Sequence, residues 1–89
     1  MPDPVFILQQ RADFLNSIMY VAGLCNWPKK RVEELQAYVL EELIRIDNGL
    51  YDAFELPDNH LAAYALWERE MEKFRRWLEL VLGVKIKYV

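Results

Sequence analysis

Six apolar residues, Val32, Leu35, Val39, Leu43, Ile46 and Leu50, are separated by steps of 3, 4, 4, 3 and 4. A chain with that spacing gathers its apolar side chains on one side only as a helix, which repeats every 3.6 residues where a strand repeats every two. A second series, Tyr64, Trp67, Met71, Phe74, Leu78 and Val81, alternates steps of 3 and 4 in the same way. A third segment carries Phe14, Leu15, Ile18, Met19, Val21 and Ala22 against a polar set of Gln9, Gln10, Asp13, Asn16 and Ser17. Three amphipathic helices are therefore expected, each with one face for a shared core.

Punctuation residues set the expected boundaries. Asp3 followed by Pro4 supplies a side-chain acceptor and then a ring with φ already fixed, which starts a helix over about 4–24. "VFIL" at 5–8 also suits a short strand, with the helix starting near Gln9; the Asp-Pro cap favours helix from the beginning. Gly23 and Pro28 mark a break, with Pro28 in the first turn of the second helix and Asn26 or Trp27 at its cap. Asp47-Asn48-Gly49 is turn chemistry and is expected to end that helix. Pro57-Asp58-Asn59 opens the third, which runs to Leu82 with Gly83 just past its end, while Tyr51, Phe54 and Leu56 tack the connection to the bundle. The expected architecture is all-α: one domain over residues 1–89, a three-helix antiparallel bundle with a short extended C-terminal tail. In that tail, Val84, Ile86 and Tyr88 alternate with Lys85 and Lys87, which is strand patterning and needs a ladder partner. The partner is either "VFIL", a second copy, or the sheet edge of another protein; otherwise Ile86 and Tyr88 pin an extended tail to the bundle.

Composition narrows the function. With 89 residues the core is small, yet 54% of the residues are hydrophobic and 13% aromatic. A net charge of −3 disfavours nucleic-acid binding, which leaves an excess of Lys and Arg. The N-terminus lacks the charge pattern of a secretory signal and no stretch reaches the roughly twenty apolar residues that span a bilayer. Cys25 is the only cysteine, so no internal disulfide forms, and the expectation is a cytoplasmic chain without membrane attachment.

Chemistry-bearing constellations are sparse. His60 is the only histidine, no metal-ligand spacing occurs, and no metal or cofactor is expected. Cys25 follows an apolar helix end, where a plain buried thiol is expected. Ser17 is the only serine and lacks a nucleophile elbow. Glu33-Glu34 and Glu41-Glu42 would need a further acid three residues on to hold magnesium as helical bundles do. Ala37 and Arg45 stand there instead. Lys29, Lys30 and Arg31 crowd the first turn of the second helix, where the dipole disfavours cations, and with Trp27 they form the candidate site for an anion or a nucleic acid.

Surplus apolar residues carry the leading expectation. Leu40 and Ile44 project about 100° or more away from the Val39 seam. Leu66, Trp77 and Leu80 lie to one side of the third helix's stripe, interleaved with Glu70 and Lys73. These five, with Ile86 and Tyr88 of the tail, are expected to meet a protein partner, most simply in a homodimer. The expected role is that of a non-enzymatic interaction protein: an accessory subunit, regulator or inhibitor of a larger assembly. The alternatives are a phosphate- or nucleic-acid-binding module using Trp27, Lys29, Lys30 and Arg31, and a small helical enzyme. Acids prevail between Ile46 and Glu68, where no Lys or Arg occurs, and bases prevail after Arg69, a polarity that can orient a head-to-tail contact.

Overall fold

Helix α1 spans Pro4–Cys25, α2 Lys29–Phe54 and α3 His60–Leu82. The computed structural model describes residues 3–54 and 60–86. It is an antiparallel three-helix bundle: α2 packs along both neighbours, and α1 and α3 run parallel to each other with less mutual contact. Among the described residues there is no strand.

The Asp-Pro start behaves as expected. Asp3 is extended (φ −71°, ψ 112°), its Oδ1 accepts from the Val5 amide at 3.0 Å, and its carbonyl accepts from Ile7 at 3.2 Å. "VFIL" is therefore helical, with Ile7 buried, and cannot serve as a strand partner for the tail. The end of α1 differs from expectation. Gly23 lies inside the helix, and Asn26 supplies the left-handed residue (φ 53°, ψ 48°). Asn is among the few side chains that tolerate that region. Pro28 stands just ahead of α2, where its carbonyl accepts from Val32 at 3.2 Å.

Asp47-Asn48-Gly49 does not end α2, which continues to Phe54. The reason is tertiary. Asp47 is 1% exposed and turns inward: one carboxylate oxygen accepts from Arg11 Nε at 2.8 Å, the other from the Trp67 indole N–H at 2.9 Å. Its side chain is thus unavailable for a cap. One further turn buries Leu50, which outweighs the roughly 1 kcal/mol cost of glycine in a helix.

The core is built from Phe14 and Ile18 of α1, Val39 and Leu43 of α2, and Leu78 of α3, all fully buried. Trp67 and Met71 close it from α3. The stripe of α3 shifts in its last turn. Leu82 is buried and Val81 is exposed, because a straight helix drifts about 20° per heptad against a 3.5-residue repeat. On α1, Met19 is exposed although its spacing placed it with the core, and only Ile18, Val21 and Ala22 of the run 18–25 are buried.

After α3, Gly83 adopts φ 75° and its amide bonds to the Glu79 carbonyl at 2.8 Å, while Val84 packs back on the core. Ile86 is 4% exposed within the chain's own core, and its amide donates to Glu79 Oε2 at 2.9 Å. A side chain of the preceding helix thus satisfies a backbone group that a strand would have paired in a ladder. Ile86 is therefore withdrawn from the partner-contact set. Tyr88 lies outside the described residues.

Candidate protein-binding faces

The five surplus residues are exposed, but they fall on two faces. Arg11 and Asp47 fix the register of α1 against α2 and mark the line where the two helices meet. Leu8 and Leu15 stand three residues before and four after Arg11. Ile44 and Tyr51 stand three before and four after Asp47. At 100° per residue these positions tilt out of the α1–α2 contact on the side away from α3. Leu8, Met19, Leu40 and Ile44, which are 59%, 53%, 37% and 38% exposed, line that groove, and Leu15 and Tyr51 form its half-buried floor. Among the described residues of this stretch, the charged groups at the contact, Arg11 and Asp47, are paired with each other, 22% and 1% exposed.

The other face belongs to α3. Leu66, Trp77 and Leu80 lie on one side of the helix, about 130° from the core direction on average, with Leu66 and Trp77 next to α2 and Leu80 pointing outward. Trp77 is held in place. Its ring stacks on Phe74 (5.4 Å between centroids, 12° between planes), Phe74 stacks on Phe14 (5.8 Å, 13°), and Tyr38 of α2 tilts against Trp77 from the other side (5.4 Å, 58°). This row of rings runs from the buried centre to the surface, so Trp77 is presented in one orientation while still 39% exposed. A rigid, half-exposed Trp beside exposed Leu is the composition of interface anchors.

Charges frame the α3 face. Lys73 Nζ lies 3.7 Å from Glu70 between Leu66 and Trp77. Arg45 donates through Nε and Nη2 to Glu42 at 3.1 and 2.9 Å, which raises its pKa further. Toward the N-terminal end of α3, the small residues Gly49, Ala53 and Ala63 leave a hollow of about 260 Å³ rimmed by Leu66, Trp67 and Glu70. Past the other end, Leu80 borders a depression of about 580 Å³ with Arg76, Glu79 and Lys85. Glu72 accepts from Arg75 and Arg76, and these hydrogen bonds, the Arg75 bond foremost, hold its carboxyl below the ordinary value.

The basic start of α2 is engaged locally. Lys29 and Lys30 lie 3.8 and 3.9 Å from Glu33 and Glu34, and the Arg31 guanidinium sits 4.0 Å over the Trp27 ring. One face of the Trp27 ring, on which a base would stack, is thus covered by a guanidinium of the same chain. Cys25 is exposed, contrary to the expected buried thiol. It lies at the opposite end of the bundle from His60, so the two cannot form a catalytic pair. Among the described residues no three His, Cys, Asp or Glu side chains converge as a metal site, and no helix is long and apolar enough to cross a membrane.

Comparison with protein families, curated proteins and solved structures finds no match. The functional reading therefore rests on residues and geometry alone.

Residue spacing gave no warning of the α1 half of the groove. Leu8 and Met19 repeat at helical intervals, but so do the core residues beside them, and only the Arg11–Asp47 register shows which row turns outward.

Proposed function

We propose that this chain acts by binding another protein, as an accessory subunit, regulator or inhibitor, and that the α1–α2 groove takes an apolar helix of that partner. One observation carries the reading: after the core is complete, a row of exposed Leu, Met and Ile remains along two antiparallel helices, and the charges at their contact, Arg11 and Asp47, neutralise each other. Interface centres are depleted of charge, and such a groove suits the apolar face of an amphipathic helix. Met19 adds adaptability, since an unbranched thioether side chain fits irregular surfaces.

Photo-cross-linking tests this. A photoreactive side chain at Met19 is compared, in native lysate, with one at Arg76 on the polar side of α3. The protein captured from Met19 alone is then purified and its affinity measured. Ile44→Glu is expected to weaken that binding at least tenfold. Equal labelling from both positions, or affinity indifferent to Ile44→Glu, refutes the reading.

A further inference from the structure

The second face has a sequence symmetry of its own. Leu66, Glu70, Lys73, Trp77 and Leu80 follow one another at steps of 4, 3, 4 and 3, so they form a second heptad seam on α3, turned away from the core stripe, and the buried Ala63, three residues before Leu66, joins it to the edge of the core. The seam also reads as a palindrome of chemistry about its midpoint, between residues 71 and 72. Glu70 mirrors Lys73, Leu66 mirrors Trp77, and Ala63 mirrors Leu80. When two such helices lie antiparallel, these are the residues that meet layer by layer.

We propose that α3 pairs with α3 of a second copy about a two-fold axis at this midpoint, forming an antiparallel homodimer. The inference rests on the protein-binding reading but uses the face that the partner groove leaves free. In the central layers Glu70 of each copy meets Lys73 of the other. Each chain already holds these two charges 3.7 Å apart on its surface, so pairing closes a ring of two acids and two bases. In the next layers the ring-clamped Trp77 meets Leu66 of the second copy. In the outer layers Leu80, 84% exposed, meets Ala63, where the hollow between α2 and α3 receives it. A parallel pairing would set Glu70 against Glu70 and Lys73 against Lys73, and like charges in facing positions are unfavourable, so the charge layer selects orientation.

Charge exchange tests this by sedimentation equilibrium. The unmodified protein is expected to dimerise. Glu70→Lys and Lys73→Glu should each weaken self-association at least tenfold, because each sets like charges against each other. Mixing these two variants should restore a dimer, and so should the double exchange Glu70→Lys/Lys73→Glu. Lys73 is exposed, Glu70 is half-buried at the rim of the hollow, and neither belongs to the core, so circular dichroism is expected to show an unchanged fold. Ile44→Glu, in the α1–α2 groove, should leave the dimer intact while weakening partner binding at least tenfold, which separates failure of this inference from failure of the function proposed above. A monomer at several hundred micromolar, or single variants that self-associate as tightly as the unmodified chain, overturns the proposal.

Discussion

Replacing Asp47 by Ala should be the most damaging single change at any polar position described. The carboxylate is 1% exposed and accepts hydrogen bonds from two different helices, through Arg11 of α1 and Trp67 of α3. Removing one member of a buried ion pair costs about 3–5 kcal/mol. Arg11 is 22% exposed and can partly rehydrate, which brings its share down to about 2 kcal/mol. The Trp67 indole N–H, left without an acceptor, adds about 1–2 kcal/mol. A total near 3 kcal/mol is a large part of the roughly 5–10 kcal/mol expected for a domain of this size and lowers Tm by roughly 12–24 °C. Urea unfolding followed by circular dichroism measures it. Asp47→Asn keeps an acceptor for Trp67 and should lose about half as much. The combined change Arg11→Met/Asp47→Leu/Trp67→Phe removes all three polar groups together and should recover most of the loss. If Asp47→Ala shifts stability by less than about 0.5 kcal/mol, the inter-helix bridge does not fix the register as argued.

Further outcomes are accessible with the same measurements. Leu78→Ala, at a fully buried site, should cost about 2–5 kcal/mol, and a loss below 1 kcal/mol would show a looser core than described. Gln10 Oε1 is buried with no hydrogen-bond partner among the described residues, so Gln10→Met should stabilise by about 1 kcal/mol; a loss of stability would mean that the oxygen is satisfied. Because Glu72 has a folded-state pKa below the ordinary 4.5, chiefly through the Arg75 hydrogen bond, its stabilising effect is complete above that pH. The effect fades as pH falls through the depressed value. The stability difference between the unmodified chain and Glu72→Gln should therefore be present at neutral pH and vanish in acid, and a pH-independent difference contradicts the assignment.

The helices were legible because burial of a continuous stripe dominates their energetics. The α2 seam from Val39 to Leu50 is buried as its spacing demands, and the Asp3-Pro4 cap works as its chemistry predicts. What the residues did not reveal depends on neighbours distant in sequence. Asp47 has the composition of a turn, and only Arg11, 36 positions away, and Trp67, 20 away, make it a core residue. Met19 and Leu15 share a spacing, yet Leu15 packs in part on the core and Met19, one turn further on, is exposed. Leu40, Ile44, Leu66, Trp77 and Leu80 were all legible as surplus from helix geometry. That they divide between two faces follows from the packing order of the helices, which periodicity does not encode.

The direct measurement is a dipolar distance between spin labels in two copies, with Cys25→Ser and a single label at Ala62→Cys or Arg69→Cys. In the antiparallel pair, residue 62 lies 9.5 positions from the two-fold axis, so its labels should be separated by about 30 Å along the helices, while labels at residue 69 should be separated by about 8 Å along that axis. Equal short distances at both positions, or no coupling between copies at all, would contradict the claim that the apolar face of α3 is covered by another copy of itself.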